Sequence, residues 1–319
     1  MSDLPTAVSA FFGLKKTRKE KLHHIGETQN GFMKVYRSPD TQEQILFQHR
    51  VKEYAAANGF PDTDRLICTG GEPFFRLGRD FYVMTPYIKG RDMVFSCQED
   101  MRLATKTLAQ FHRAAKGLAI ETPNLFTRPP VTAHFAKQSA FLSATLKQVR
   151  TYKRLSDFDV LFLKHAKEFS EKIQTAQYLL DGTDYVCLYN EALAGNYISH
   201  NALKEETLPM HDKTCYLTYF SEISIDIPLM DIAALIRRHA QRAAGDAVPI
   251  AELLDIYHAA HPLPDCAPVI IRALLTFPWL FMKIIAQYYS KKRSFTPTAM
   301  MGRLDAYLKE KESFDTYIH

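Results

Sequence analysis

The sequence predicts an α+β protein of two lobes, a small β-rich lobe over residues 1–90 and a large helical lobe over residues 91–319. Three observations carry this. Before residue 90 the apolar residues fall in short alternating runs broken by glycine turns, after it they fall in long helical periods, and one strand-rich island interrupts the helices.

The elements follow in order. Residues 13–37 alternate in short runs, and Asn30-Gly31 ahead of Phe32-Met33-Lys34-Val35-Tyr36 reads as a hairpin turn feeding a strand. Ile45, Leu46, Val51, Tyr54 and Ala55 recur at mostly helical spacing, and Asn58-Gly59 with Pro61 beyond ends that helix. Three strand-like stretches, 65–68, 74–77 and 81–85, are separated by Gly70-Gly71 and Gly78-Arg79-Asp80. Past Pro86-Tyr87-Ile88-Lys89-Gly90, helices are expected over about 98–116, 133–148, 155–179, 229–243, 249–259, 266–288 and 297–311. The strand-rich island is placed at 185–200 and 215–223. No 20–50-residue repeat appears, so a solenoid or propeller is not expected.

With 46% hydrophobic and 24% charged residues the chain is globular in composition, which excludes collagen-like, disordered and disulfide-scaffold classes. A net charge of +5 is weaker than a dedicated nucleic-acid binder shows, so no nucleic-acid partner is expected. Cys68, Cys97, Cys187, Cys215 and Cys266 are odd in number and lack CxxC spacing, the pattern of free thiols in a reducing compartment. The N-terminus has no basic segment followed by an apolar run, which predicts a protein that stays in the cytoplasm that makes it. The apolar stretch 269–289 is interrupted by Arg272, Pro278 and Lys283, so a buried core helix is expected there and no membrane span.

Four stretches go further: Gly59-Phe60-Pro61, Tyr82-Val83-Met84-Thr85-Pro86-Tyr87-Ile88-Lys89-Gly90-Arg91, Leu108-Ala109-Gln110-Phe111-His112, and Phe277-Pro278 through Gln287-Tyr288-Tyr289-Ser290-Lys291-Lys292-Arg293-Ser294-Phe295. On these the chain resembles the CotS-type spore coat proteins, a branch of the aminoglycoside-phosphotransferase-like superfamily, over nearly its whole length. The resemblance implies a bilobal protein-kinase-like fold of the aminoglycoside phosphotransferase type. It also implies a spore coat or sporulation role, with synthesis in the mother-cell cytoplasm and other coat proteins as partners.

A kinase-like site needs a strand lysine on the phosphates, a helix acid holding that lysine, a catalytic carboxylate, and an Asn and an Asp for Mg²⁺. The resemblance puts Lys34 at the strand position and Gln48, a neutral residue, where the helix acid belongs. The superfamily pattern His-x-Asp-x-x-x-x-Asn is laid on Tyr189-Asn190-Glu191-Ala192-Leu193-Ala194-Gly195-Asn196, making Glu191 a degenerate base and Asn196 a weak metal ligand. The metal-binding Asp falls on Tyr219, a phenol and a poor ligand for a hard cation, with Glu222 as a nearby substitute. Asp231 is a scaffold residue capping the catalytic loop. The loop 26–31 is poor in glycine for cradling phosphates. The expectation is a kinase-fold coat component with a degenerate site, a structural protein or pseudokinase, with ATP and Mg²⁺ bound weakly or not at all. The alternative is an ATP-dependent phosphotransferase acting on a sugar or amino alcohol with Glu191 as base. His258 and His261 read as surface histidines, and His112 as a hydrogen-bonded core histidine.

Overall fold

The Asn30-Gly31 turn joins β2 (His23–Thr28) to β3 (Gly31–Ser38), with Thr28 opposite Gly31 and φ +101° at Gly31, a conformation glycine adopts without a Cβ clash. A computed structural model of the chain describes residues 4–20, 23–243, 245–290 and 296–318. β1 (Thr17–Glu20) pairs with β2, β5 (Asp80–Pro86) pairs with β3, and β4 (Phe75–Leu77) takes the far edge. The result is an antiparallel five-stranded sheet in the order β1-β2-β3-β5-β4. α1 (Thr6–Phe11) covers part of it, with Val8 and Phe12 packed on Met33, Val35, Tyr82 and Met84. Residues 65–68 do not form the expected strand. Ile67 N–H reaches Met84 O at 2.8 Å, but the turn at Gly70 and Gly71, both at positive φ, carries the chain away before a ladder forms.

α2 (Gln42–Ala57) starts on a capping box between Thr41 and Gln44. Its Ile45 packs under the sheet with Leu66, Phe74 and Val83, while Phe47, Val51 and Ala55 join the core of the helical lobe. One helix therefore belongs to both cores. Arg50, Tyr54 and Asn58 reinforce this by donating to the carbonyls of Ala119, Lys116 and Ala114 at 2.6, 3.3 and 3.0 Å.

The helical lobe comprises α3 (Gln98–Ala115), α4 (Val131–Val149), α5 (Asp157–Asp181), α6 (Tyr185–Ala194), α7 (Leu229–Arg242), α8 (Ile250–Ala260), α9 (Ala267–Thr276), α10 (Trp279–Tyr289) and α11 (Pro297–Ile318). Two expectations change. The helix expected over 266–288 is two helices, α9 and α10, divided at Phe277-Pro278, because proline cannot continue the ladder. The run Ala267–Tyr289 is long and apolar enough to cross a membrane, yet most of it is buried inside the protein. The first half of the strand-rich island is also corrected: residues 185–194 are α6, with Tyr185, Tyr189 and Ala192 buried at i, i+4 and i+7 on one helical face. What remains of the island is two two-stranded pieces, β6 (Ile198–Ser199) with β9 (Ser224–Ile225), and the hairpin of β7 (Met210–His211) and β8 (Thr214–Cys215). That hairpin lies against the link between lobes, where Arg91 and Met210 exchange backbone hydrogen bonds of 3.1 and 2.7 Å. The basic residues Lys291, Lys292 and Arg293, with Ser294 and Phe295, lie outside the described residues.

Candidate functional site

β3 sets Lys34 opposite Thr85 on β5, and alternation puts Phe32, Lys34 and Tyr36 on one face of the sheet. Tyr219 meets that face from the helical lobe. It precedes a 3-10 turn at Phe220–Glu222 and holds φ 60°, ψ 68°, a left-handed conformation unusual for a bulky residue. Lys34 Nζ donates a hydrogen bond to Tyr219 Oη and lies 3.8 Å from the centre of its ring, while the Tyr36 ring is 6.0 Å from it. Burial pulls the Lys34 ammonium down to about 8, with Asp64 opposing, and burial pushes the Tyr219 phenol up to about 12. At neutral pH an ammonium therefore donates to an uncharged phenol. Thr85 is fully buried and its hydroxyl has no partner.

Gln48, the neutral residue that the resemblance puts where the helix acid belongs, is buried and donates to Asp40 Oδ2 at 2.8 Å. A residue that sequence reasoning missed lies one turn further along α2. Lys52, fully buried, donates to Asp64 Oδ1 at 2.6 Å and to the Asp64 carbonyl at 2.8 Å, and sits 4.7 Å from the Phe220 ring centre. Asp64 Oδ2 in turn accepts from Tyr219 N–H at 3.2 Å. The carboxylate thus ties α2 to the Tyr219 turn. A buried lysine in the apolar row Val51, Lys52, Ala55 was the available signal, since such a charge must find a partner.

The loop before β7 is organised by Asp231, near the start of α7. Its carboxylate accepts from His200 N–H at 2.5 Å, Asn201 N–H at 2.7 Å and His112 Nε2 at 3.0 Å, and these donors hold its pKa below the usual carboxylate range despite burial. His112 also bonds Tyr257 Oη at 2.6 Å. His200 packs edge-on against Phe220, with ring centres 4.9 Å apart. Counted from His200, the spacing His-x-Asp-x-x-x-x-Asn falls on Ala202 and Thr207. The Thr207 hydroxyl is spent inside the loop, accepting from Lys204 N–H at 2.8 Å and bonding to the Ala202 carbonyl at 2.9 Å.

Glu191 and Asn196, which the sequence reading put on this loop, lie elsewhere. Glu191 is exposed on α6 and accepts from the Tyr197 hydroxyl, and Asn196 follows the helix at φ 45° with its carbonyl near Gly117 N–H. The reason is the helical burial period of 185–194, which the alternating reading overlooked. Glu222 pairs with Arg128 at 3.1 Å on the rim of a cavity of about 180 Å³ between α2 and residues 125–128. Among the described residues no three His, Cys, Asp or Glu side chains are grouped to hold a metal ion.

A small antiparallel lobe and a large helical lobe, meeting at a strand lysine, an aromatic turn and an aspartate-capped loop, define a kinase-fold protein of the aminoglycoside phosphotransferase type. The solved aminoglycoside phosphotransferase from Alicyclobacillus acidocaldarius superposes with a TM-score of 0.87 at 18% identity, covering 100% of this chain and 95% of that one. The AMP-bound spectinomycin phosphotransferase APH(9)-Ia superposes at 0.68 with 11% identity, covering 97% of this chain and 96% of that one. By sequence the chain belongs to the family described as "Spore coat putative kinase YutH", which it matches over residues 12–319. It is also 20% identical over 300 residues to Spore coat protein S of Bacillus subtilis (strain 168), covering 92% of this chain and 84% of that protein.

Proposed function

We propose that this chain is a kinase-fold component of the spore coat, made in the mother-cell cytoplasm, whose cleft does not transfer phosphoryl groups. The observation that carries the reading is the Lys34–Tyr219 hydrogen bond: the lysine that would hold phosphates is engaged by the side chain standing where a metal-binding aspartate is expected. The Asp231-capped loop adds to it, because its spacing puts Ala202 where a catalytic carboxylate belongs and Thr207 where a metal-binding Asn belongs. Mg²⁺ demands oxygen ligands, carboxylates above all; the carboxylate bonded to the Tyr219 turn, Asp64, is committed to Lys52, and among the described residues no three His, Cys, Asp or Glu side chains are grouped to hold a metal. Phosphoryl transfer relies on positioning and charge stabilisation, so losing acid and metal ligands together removes most of its means. The alternative, Glu191 as catalytic base, has no geometry behind it, since Glu191 sits on α6 bonded to Tyr197.

The test is thermal unfolding with ATP, with and without Mg²⁺, beside phosphoryl-transfer assays on aminoglycosides and choline. A nucleotide at 100 times its dissociation constant would stabilise the protein by about 2.7 kcal/mol. The expected result is no turnover and a melting temperature that Mg²⁺ leaves unchanged, while Tyr219→Asp combined with Ala202→Asp makes nucleotide binding Mg²⁺-dependent. Robust wild-type turnover that Lys34→Met abolishes would overturn the proposal. ATP binding without turnover would make the protein a nucleotide-responsive pseudokinase of the coat.

A further inference from the structure

Arg237 stands on α7, away from the residues that meet Tyr219, and its charge has no counter-ion among the described residues. Its guanidinium carbon lies 5.3 Å from the centre of the Trp279 ring, and its neighbour Arg238 is a second cation, stacked 5.8 Å from the Phe95 ring centre. Two acids of the neighbouring helices are already engaged, Glu168 by Lys311 at 2.6 Å and Asp315 by Lys172 at 2.7 Å. The group that favours the Arg237 charge is the Tyr307 phenol, and burial raises that phenol's pKa, so it stays neutral. Burial and Arg238 together pull Arg237 down to about 10, which leaves it charged at neutral pH.

A guanidinium in this position is short of a partner. Stacking on an indole uses the face of the group, leaving the edge N–H donors free to bind a planar or tetrahedral oxyanion bidentately. Trp279 is also the first residue of α10, an 11-residue helix with no side-chain cap; its own N–H donates to the Phe277 carbonyl at 2.9 Å, which leaves the first-turn N–H groups of Leu280 and Phe281 without a helical partner. His134 stacks on the same indole, with ring centres 5.1 Å apart, and burial with Lys137 nearby lowers its pKa, favouring the neutral imidazole, which is no counter-ion.

We infer that Arg237, Trp279 and the start of α10 form an oxyanion site, for a carboxylate or phosphate group, separate from the Lys34–Tyr219 cleft. The chain has one tryptophan, Trp279, so its fluorescence reports on this place alone. Titrations of inorganic phosphate and of a capped glutamate-rich peptide, at constant ionic strength balanced with chloride, separate a free phosphate from a protein carboxylate. A saturable change in Trp279 emission with either probe supports the site. Arg237→Met should then weaken binding about tenfold or more, and Arg237→Lys, which keeps the charge but loses the fork, should fall between. Far-UV circular dichroism and melting temperature of both variants report whether they fold. Emission of the wild-type protein that does not saturate with either probe would overturn the inference, whatever the variants do. An equal response in folded Arg237→Met would overturn it as well.

Discussion

Lys52 and Asp64 form an ion pair in which neither side chain exceeds 3% exposure, so each charge depends on the other for its solvation. Removing one partner of such a pair costs about 3–5 kcal/mol, because the survivor is left buried and uncompensated. Lys52→Met should therefore lower the urea midpoint strongly, and adding Asp64→Leu should recover part of the loss. A Lys52→Met protein as stable as wild type would contradict the pairing. Asp226 offers a test in pH. It is 4% exposed, its Oδ1 accepts from Ile227 N–H, and burial pushes its pKa up to about 7 from an ordinary value of 3.8. Between these values the folded state holds more protons than the unfolded state, so the contribution of Asp226 falls as pH rises from about 4 to 7. Asp231 and His200, with lowered pKa values, slope the opposite way, and comparison with Asp226→Asn isolates the contribution of Asp226. Wild type should gain on Asp226→Asn by on the order of 1 kcal/mol per pH unit as pH drops below 7. Parallel stability curves would refute it.

The β7–β8 hairpin reaches the lobe junction only because Gly90 lacks a side chain. A Cβ at Gly90 would run into the Met210 carbonyl oxygen, which is backbone and cannot rotate away. Gly90→Ala should force the Arg91–Met210 bonds apart and lower the melting temperature by several degrees, at roughly 4–8 °C per kcal/mol for small domains and less for larger ones. Unchanged stability would mean that the hairpin is free to shift. α6 shows how an element can be misread. Its buried residues Tyr185, Tyr189 and Ala192 follow a helical period, but the chain around them is rich in aromatic and aliphatic residues that also suit strands. The same misreading displaced Glu191 and Asn196 from their true surroundings.

At the scale of the molecule, α2 makes the two lobes one cooperative unit. Phe47 stacks on Phe126 with ring centres 3.9 Å apart, and Val51 and Ala55 are fully buried in the helical lobe's core. Lobes that share a core should unfold together. Thermal unfolding followed by far-UV circular dichroism and by Trp279 fluorescence is expected to give coincident single transitions. Two separated transitions would show that the sheet melts without the helical lobe.

The sequence by itself determined the two-lobe division, the Asn30-Gly31 hairpin and the end of α2 at Asn58-Gly59, because turn residues, helical stops and burial period are local and each element carries its own; the family is legible in four motif stretches. Lys34, Tyr219 and Asp231 are singled out by the family resemblance and not by any local pattern. Only the tertiary structure decided that Lys34 bonds Tyr219 across 185 residues of chain, that Lys52 pairs with Asp64, and that Asp231 caps a loop beginning at His200. A scan for His-x-Asp passes over His200-Asn201-Ala202, where the acid is gone and only spacing remains. Burial period reports which face of an element is hidden, not which distant residue it is hidden against. Hydrogen bonds and ion pairs between remote segments leave no local pattern, and the folded chain alone brings their partners together.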